Sequence, residues 1–393
     1  MSERLFLFPL KPLIRLFISL ILLISITACT VPRRVNANDR IFLNLSLEFL
    51  DRYELPKTTF ENTPVGGLSA ITYDRSKDRF YVLSDDRSDR AAARFYTLKM
   101  DFKPKEENGE IAIDNLNLEG VTFLKDERGN TYKSGTIDSE GIALSPRGTV
   151  FISSEGDTTK NIKPFIGEFD LKTGHQKLNV PIPQRYLWEE EKQNPKGIQE
   201  NLAFESLTIA TSGLLADDPF RLFTATESAL EQDRESEVKA ETKDKIRFLH
   251  YVINPFGSPV LVAEHLYLLE PTSVETISNG LTELLALKTE GYFLSLERTF
   301  GFTGAGAKIF QVIIGNATDT SNIASLKGEL TQVVPLKKQL LFDLQDLGIY
   351  IDNIEGMTVG PRLPDGNRSL ILVSDDNFNE EQVTQFWLFR LNS

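Results

Sequence analysis

The sequence predicts an all-β fold: a β-propeller of four-stranded blades, closed into a ring by a strand near the N-terminus. Three observations lead to this prediction. Short apolar segments recur along the chain, turn-forming residues separate them, and no long segment has helical periodicity. The repeat is roughly 60–75 residues long, and repeats of four-stranded units are typical of propellers. We count five copies, and a sixth, degenerate blade in 101–137 or 315–350 is the alternative.

Each copy combines a short apolar strand, a buried strand that ends in Ser or Thr before an acid, and an alternating strand rich in aromatic residues. The first strands are 67–72, 139–144, 204–209, 282–287 and 354–359, and the second strands are 80–86, 150–155, 222–227, 292–297 and 370–376. The third strands are 94–98, 165–170, 247–252, 308–312 and 385–389. Outer strands are predicted at 111–118, 176–182, 260–268 and 328–335.

The fifth copy ends after its third strand, so its outer strand must come from elsewhere. Residues 41–47 have strand character and are predicted to fill this place, which removes an exposed sheet edge. The glycine-rich segment 301–308 lies between two strands of the fourth copy. We expect it to be a flexible loop, and a gate for the channel is the alternative, because its lysine spacing does not match a P-loop.

Composition excludes several classes of function. The 393 residues include 43 basic and 56 acidic side chains, a formal net charge of −13, which argues against a nucleic-acid partner. The single cysteine excludes an internal disulfide and every cysteine-based zinc site, and three scattered histidines do not suggest a metal site. Chemistry in this chain is therefore expected to depend on oxygen ligands.

The N-terminus has the features of an export signal. Arg4, Lys11 and Arg15 form a basic region, and the apolar run 13–26 is short for a membrane span. The run ends in Ile26-Thr27-Ala28-Cys29, which resembles a bacterial lipobox. We expect 1–28 to be a signal peptide, Cys29 to carry a membrane-anchoring lipid, 29–39 to be a tether and 40–393 to be the propeller. An uncleaved anchor with an incidental cysteine is the alternative. The protein is then exported and anchored to the bacterial cell envelope.

Acidic residues recur at two places in the repeat. Because the first strand of each propeller blade lines the channel and neighbouring strands are antiparallel, both places are expected at one end of the channel. Carboxylates crowded in this way repel each other unless protons or a cation are bound, and Ca²⁺ prefers such oxygen ligands. The predicted metal ligands are Glu140, Glu205, Glu283 and Glu355 at the first place, and Asp85, Glu155, Glu227, Glu297 and Asp375 at the second.

Other interpretations of these residues remain open. Any single acid could instead accept hydrogen bonds from the backbone of the next blade. Arg87 and Arg298 either form structural ion pairs with the acids or bind a substrate phosphate. Ser69 stands where other copies have glutamate, and a plain polar substitution is favoured over a nucleophile because no histidine is near in sequence. Further rim residues that could complete a metal shell are Asp86, Asp157, Asp376 and Asn377.

Several of these segments resemble the bacterial "esterase-like activity of phytase" family. The likeness runs from about residue 60 to 391, and it implies a propeller related to calcium-dependent phytases and hydrolysis of phosphoesters or esters. The chain has no dense basic cluster of the kind that propeller phytases use against phosphate, which puts phytate itself in doubt. The matching segments are Gly66 to Ile71, Asp138 to Ala143, Asn201 to Thr208, Asn353 to Met357 and Leu372 to Asn377.

These observations lead to two hypotheses of function. The first is a calcium-dependent hydrolase of a small phosphoester or ester, in which Glu205 and Glu355 act as ligands or general base and Arg298 stabilises developing charge. The second is a non-catalytic binding module whose acidic funnel holds a structural cation. In either case we expect a monomer that is attached to the membrane only through the lipid on Cys29.

Overall fold

The computed structural model describes residues 41–392, except 108, 190–194, 212, 214, 237–241, 272–275 and 303. The expected signal peptide, the tether and Cys29 lie outside the described residues, so these assignments stay predictions. In the described part of the chain, no helix is long and apolar enough to cross a membrane.

Twenty-two strands make up almost all of the regular structure. A closing strand and a small hairpin come first: β1 (Ser46–Leu55), β2 (Thr58–Phe60) and β3 (Thr63–Val65). Blade 1 follows with β4 (Leu68–Asp74), β5 (Arg79–Ser84), β6 (Arg94–Pro104) and β7 (Ile111–Phe123). Blade 2 contains β8 (Ser139–Leu144), β9 (Thr149–Ser154), β10 (Phe165–Asp170) and β11 (Gln176–Asn179).

The remaining blades repeat this order. Blade 3 contains β12 (Phe204–Thr211), β13 (Phe220–Thr226), β14 (Lys245–Ile253) and β15 (Val260–Leu268). Blade 4 contains β16 (Thr276–Ala286), β17 (Tyr292–Gly301), β18 (Gly304–Ile313) and β19 (Lys337–Asp343). Blade 5 contains β20 (Asn353–Arg362), β21 (Arg368–Asp375) and β22 (Thr384–Asn392). Short 3₁₀ helices lie in the connections at Gln184–Tyr186, Glu231–Asp233 and Leu344–Leu347.

The prediction of a propeller is confirmed, with five four-stranded antiparallel blades. The first strands, β4, β8, β12, β16 and β20, contact one another in sequence, and β20 contacts β4, which closes the ring around a channel. No sixth blade forms among the described residues, because 101–137 contains β7 and 315–350 contains β19, which complete blades 1 and 4.

An N-terminal strand does supply the outer strand of the fifth blade, as predicted, but it begins later than residue 41. It is β1, which pairs with β22 from Ser46↔Asn392 to Leu55↔Thr384. The pairing starts at Ser46, opposite Asn392, the last residue of β22, so residues 41–45 precede the strand. The fifth blade therefore joins the N-terminal and C-terminal ends of the propeller in one sheet.

Three further boundaries differ from the prediction. The outer strand of blade 4 is β19, not 328–335, because Pro335 cannot donate to a strand ladder and β19 starts just after it. β11 stops at Asn179, ahead of Pro181. The segment 301–308 was expected to be a flexible loop, but Gly301 pairs with Gly304 and 304–308 belong to β18, so these residues are part of the ladder.

Apolar side chains between neighbouring blades hold the ring together. The described residues form five buried clusters, and each lies between two adjacent blades. In the cluster between blades 4 and 5, Trp387 is fully buried and its ring contacts Phe49 of β1, with centroids 5.5 Å apart. Each large buried side chain contributes roughly 1.5–3 kcal/mol, so closure by β1 is driven by packing as well as by the ladder.

Phe49→Ala tests this closure. Phe49 is half-buried and contacts both Trp387 and Phe389, so we expect a loss of about 2 kcal/mol in the free energy of unfolding, measured by urea denaturation. Phe256→Ala is the matched control, because Phe256 is 90% exposed and should cost little. Equal stability of the two variants would contradict a packing role for β1.

Candidate functional site

A β-bulge near the start of each first strand positions the first set of site residues. The strand pairs just before these bulges are Leu68↔Ser84, Ser139↔Ser154, Phe204↔Thr226, Leu281↔Glu297 and Ile354↔Ser374. The next residues on the first strands are Ser69, Glu140, Glu205, Thr282 and Glu355, and the next residues on the second strands are Asp85, Glu155, Glu227, Arg298 and Asp375.

Blade 4 therefore departs from the sequence prediction by one residue. Thr282 and Arg298 occupy the positions that were expected to hold Glu283 and Glu297. Side chains alternate between the two faces of a strand, so a shift of one residue turns both acids away from the shared positions. The bulge has no side-chain pattern of its own, so the repeat pattern of the sequence does not reveal this shift.

Glu283 and Glu297 have structural partners instead. The buried Glu283 carboxylate accepts hydrogen bonds from the backbone N–H groups of Leu207 (3.2 Å) and Leu284 (2.9 Å). Glu297 accepts from the hydroxyl of Tyr267, the amide of Glu270 and the ammonium of Lys338. The other predicted acids do come together at one end of the channel.

That group, called the acidic cluster below, also includes one carboxyl that the repeat pattern did not mark. Asp138 was missed because other copies have Gly67, Ala203, Gly280 or Asn353 at its position, so no repeated acid drew attention to it. The structure brings it beside Glu140 and Glu155. The acidic cluster consists of Asp85, Asp138, Glu140, Glu155, Glu205, Glu227, Glu355 and Asp375.

Burial and mutual repulsion raise the proton affinity of this cluster. Burial, followed by the charges of Glu355 and Asp138, raises the pKa of Asp85 to about 8. Burial raises the pKa of Glu355 to about 7 against the opposing effect of Arg298. The remaining raised members owe the direction of their pKa shifts first to burial and then to neighbouring carboxylates: Glu140, Glu155, Glu205 and Asp375.

Two arginines supply the positive charge within the cluster. Arg298 donates to Glu227 (2.8 Å) in blade 3 and to Glu355 (2.6 Å) in blade 5, and it also donates to Asn353. Because Arg298 replaces an acid in its ring, it neutralises the neighbours on either side. These contacts are structural ion pairs, and they use much of the guanidinium that was considered for substrate binding.

Arg87 connects the other side of the cluster. It donates to Asp138 (2.6 Å) in blade 2 and to Asn201, which lies just before blade 3. Neither partner was predicted from the sequence. The two arginines together link all five blades at the acidic end of the channel.

Glycines after two of the cluster glutamates allow neighbouring first strands to approach closely. A Cβ atom on Gly141 would lie 2.4 Å from the backbone oxygen of Glu205, and one on Gly356 would lie 2.9 Å from Cα of Ala70. Both distances are too short for a real side chain, so the Glu-Gly pairs keep the strands in contact. Close strands in turn bring their glutamates close to one another.

The remaining predicted residues lie outside the cluster or are occupied. Asp86 pairs with the buried Arg94, Asp157 with Lys160 (2.6 Å), and Asp376 with Lys57 (2.8 Å). The backbone N–H of Asn377 donates a hydrogen bond to the Asp375 carboxylate. Ser69 donates to the backbone oxygen of Glu140 (3.2 Å), which agrees with a plain polar role.

The donor set fits a hard divalent cation. Two groups of three carboxylates each place one oxygen per residue within 4.8 Å of the others: Asp138, Glu140 and Glu155, and Glu155, Glu205 and Glu227. Glu205 is 7% exposed, and none of the described residues donates a hydrogen bond to its carboxylate. Carboxylates this close to one another repel, and a cation with oxygen ligands removes that cost.

A comparison with models of protein families shows to which family this chain belongs. The family described as phytase-like, "esterase-like activity of phytase", matches residues 63–378. The chain belongs to the phytase-like family. The match begins at the β2–β3 hairpin and ends just after Asp375, so it contains the whole acidic cluster of this phytase-like propeller. A search of the curated proteins gave no match.

Solved structures resemble the phytase-like chain only distantly. A member of the DUF4221 family from Bacteroides vulgatus has a TM-score of 0.37 at 8% identity, with 89% of this chain and 99% of that chain covered. The catalytic domain of the GH62 α-L-arabinofuranosidase from Coprinopsis cinerea has a TM-score of 0.36 at 10% identity, with 88% and 96% covered. At these values the likenesses carry no argument about activity.

The raised pKa values of Glu355 and Asp85 predict how the stability of the metal-free protein depends on pH. Folded protein retains protons on these carboxyls that the unfolded chain has lost, so stability is full below about pH 4 and falls as pH rises through 7–8. A tenfold difference in proton affinity between the folded and unfolded chain corresponds to about 1.4 kcal/mol. We therefore expect Glu355 alone to lower the free energy of unfolding by on the order of 3 kcal/mol over this pH range.

The measurement is urea unfolding of chelator-treated protein between pH 5 and pH 9. Glu355→Gln should flatten the pH dependence, because its amide does not titrate. Added Ca²⁺ should restore stability most at pH 9. Stability that rises with pH over this range in chelator would contradict the charge crowding described above.

Proposed function

We propose that this phytase-like propeller is a calcium-dependent hydrolase of phosphoester or carboxylic-ester bonds, with its active site at the acidic cluster. The observation that carries the proposal is the pair of carboxylate triads that share Glu155, together with the unpartnered Glu205. Asp138, Glu140, Glu155, Glu205 and Glu227 would hold the metal. Calcium bound there would polarise the phosphoryl or carbonyl oxygen and lower the pKa of an attacking water.

The residues of the chain have separate roles in this proposal. Glu355 is the favoured general base, because its pKa of about 7 lets it accept a proton near neutral pH. The hydrogen bond from Arg298 holds the Glu355 carboxylate in place, and the side-chain amide of Asn353 donates to the same oxygen at 2.8 Å. Arg298 is thus a positioning residue for Glu355, while Glu205 remains available to bind metal or water.

Hydrolysis of p-nitrophenyl phosphate and p-nitrophenyl acetate tests the proposal. We expect turnover with Ca²⁺, none with chelator, and a fall in kcat of roughly a hundredfold or more in Glu205→Gln and Glu355→Gln. Glu329→Gln is the control, because this exposed glutamate lies outside the cluster. If neither activity responds to calcium or to the two substitutions, the proposed active site is wrong.

A non-catalytic binding module is the second candidate function. The observation that favours it is that both cluster arginines are already paired, Arg298 with Glu227 and Glu355 and Arg87 with Asp138, so no described cation of the cluster is free for an anionic substrate. In this case Ca²⁺ would raise the unfolding temperature while no turnover is detected. Calcium-dependent stability with calcium-dependent turnover supports the hydrolase instead.

We also propose that the protein is exported and anchored to the cell envelope by a lipid on Cys29. The support is the basic region, the apolar run and the small residues before the single cysteine. Expression with an alkyne-bearing fatty acid should label the wild type and not Cys29→Ser. Ser25→Ala, a change within the apolar run, is the control and should still be labelled. Equal labelling of wild type and Cys29→Ser would overturn the proposal.

A further inference from the structure

The channel has a second opening, at the end opposite the acidic cluster. A cavity of about 270 Å³ there is lined by the later residues of all five first strands. Its walls combine apolar side chains with polar groups, among them Glu283 at depth and the threonines Thr72, Thr208 and Thr358. The wall residues nearest the ends of these strands include Tyr73, Leu144, Ile209, Leu287 and Val359.

Basic side chains lie along one side of this opening. Lys288 and Arg368 line the channel cavity, and both also line an adjoining space of about 540 Å³ together with Arg75 and Arg362. These residues come from three blades: Arg75 from the turn after β4, Lys288 from the turn after β16, and the other two from the β20–β21 hairpin. We call this group the basic mouth.

The four cations of the basic mouth lack acidic partners in the described part of the chain. None of them forms an ion pair with a described carboxylate, although the protein as a whole has an acidic excess. Asp78 is the carboxyl that lines the same space, and it accepts a hydrogen bond from the Tyr73 hydroxyl (2.7 Å). Four cations therefore share this space with one carboxylate, which leaves a net positive charge.

The arrangement of these cations opposes folding rather than assisting it. Arg362 and Arg368 are direct cross-strand partners, and like charges in that position are destabilising. The charge of Arg368, followed by burial and by Arg75 and Arg362, lowers the pKa of Lys288. Arginines that repel each other beside a cavity are better explained by an anion that binds between them than by stability.

The chain also enters the propeller at this end. Leu391 of β22 pairs with Arg368 on one side and with Leu47 of β1 on the other, so the start of β1 lies level with the basic mouth. Cys29 precedes Ser46 by 17 residues. At most about 3.5 Å per residue, this segment reaches roughly 60 Å. A lipid on Cys29 would therefore allow the basic mouth to reach a membrane surface.

We propose that the basic mouth binds a phosphate group, either of an anionic lipid head group or of a small soluble phosphate ester. The guanidinium groups of three arginines and the ammonium group of one lysine can donate hydrogen bonds to the oxygens of a phosphate group. Aliphatic side chains of the cavity behind them, such as Leu287 and Val359, can contact the adjoining carbon atoms. This site is distinct from the acidic cluster at the other end of the channel, so it does not depend on the proposed hydrolysis.

The first experiment is calorimetric titration of the full chain, purified in neutral detergent, with glycerol 3-phosphate. We expect binding that weakens with salt and falls at least tenfold in Arg368→Gln and in Lys288→Gln. Arg368→Lys should retain part of the affinity. Arg128→Gln is the matched control, because Arg128 is exposed and lies elsewhere. The variants change exposed or half-exposed side chains, and their unfolding temperatures show whether they remain folded.

The second experiment distinguishes the two sources of phosphate. The full chain is sedimented with vesicles of phosphatidylcholine alone or mixed with phosphatidylglycerol. The N-terminal segment is present in both cases, so a preference for anionic vesicles that is lost in Arg368→Gln identifies a lipid head group. Binding of glycerol 3-phosphate without vesicle preference identifies a soluble ligand. Absence of both, or binding unchanged in both Gln variants, overturns the proposal.

Discussion

The crowding of buried carboxyls at one end of the channel is the constraint on which the rest of this structure depends. Two unit charges 4.8 Å apart at an effective dielectric constant of about 20 repel by roughly 3 kcal/mol. Eight carboxyls face two arginines, so full ionisation is incompatible with a stable ring unless a cation binds. Burial, together with repulsion from Glu355 and Asp138, raises the pKa of Asp85 to about 8. Packing between blades offsets the remaining repulsion.

The same first strands that create the crowding also relieve it. Their bulges place one residue per blade at the acidic end, and the glycine at 141 or 356 lets the adjacent strand approach. In blade 4 the corresponding positions hold Thr282 and Arg298 instead of two acids. An arginine in place of an acid in one blade thereby neutralises carboxylates of the two neighbouring blades. A ring with an acid at this position in every blade would have no such positive charge.

The sequence was sufficient for the blade count and most strands, because apolar alternation and turn residues repeat in every copy. It was insufficient for the site in blade 4. A bulge shifts the register by one residue without altering the apolar pattern, and Glu297 beside Arg298 made the wrong alignment attractive. Asp138 could not be predicted because it has no counterpart in other blades. The hydrogen-bond pairing of neighbouring strands determines the register in blade 4 and the place of Asp138, and this pairing is known only from the folded sheet.

The two ends of the channel have opposite charge, and the fold itself separates them. First strands begin at the acidic end and finish toward the basic mouth, so strands of six to eleven residues connect two chemically different surfaces. Glu283 lies between them and accepts hydrogen bonds from backbone amides of blades 3 and 4. An anion held at the basic mouth would therefore not compete for a cation in the acidic cluster. If a lipid on Cys29 keeps the basic mouth toward the membrane, the acidic end would face away from it, where soluble substrates and calcium have access.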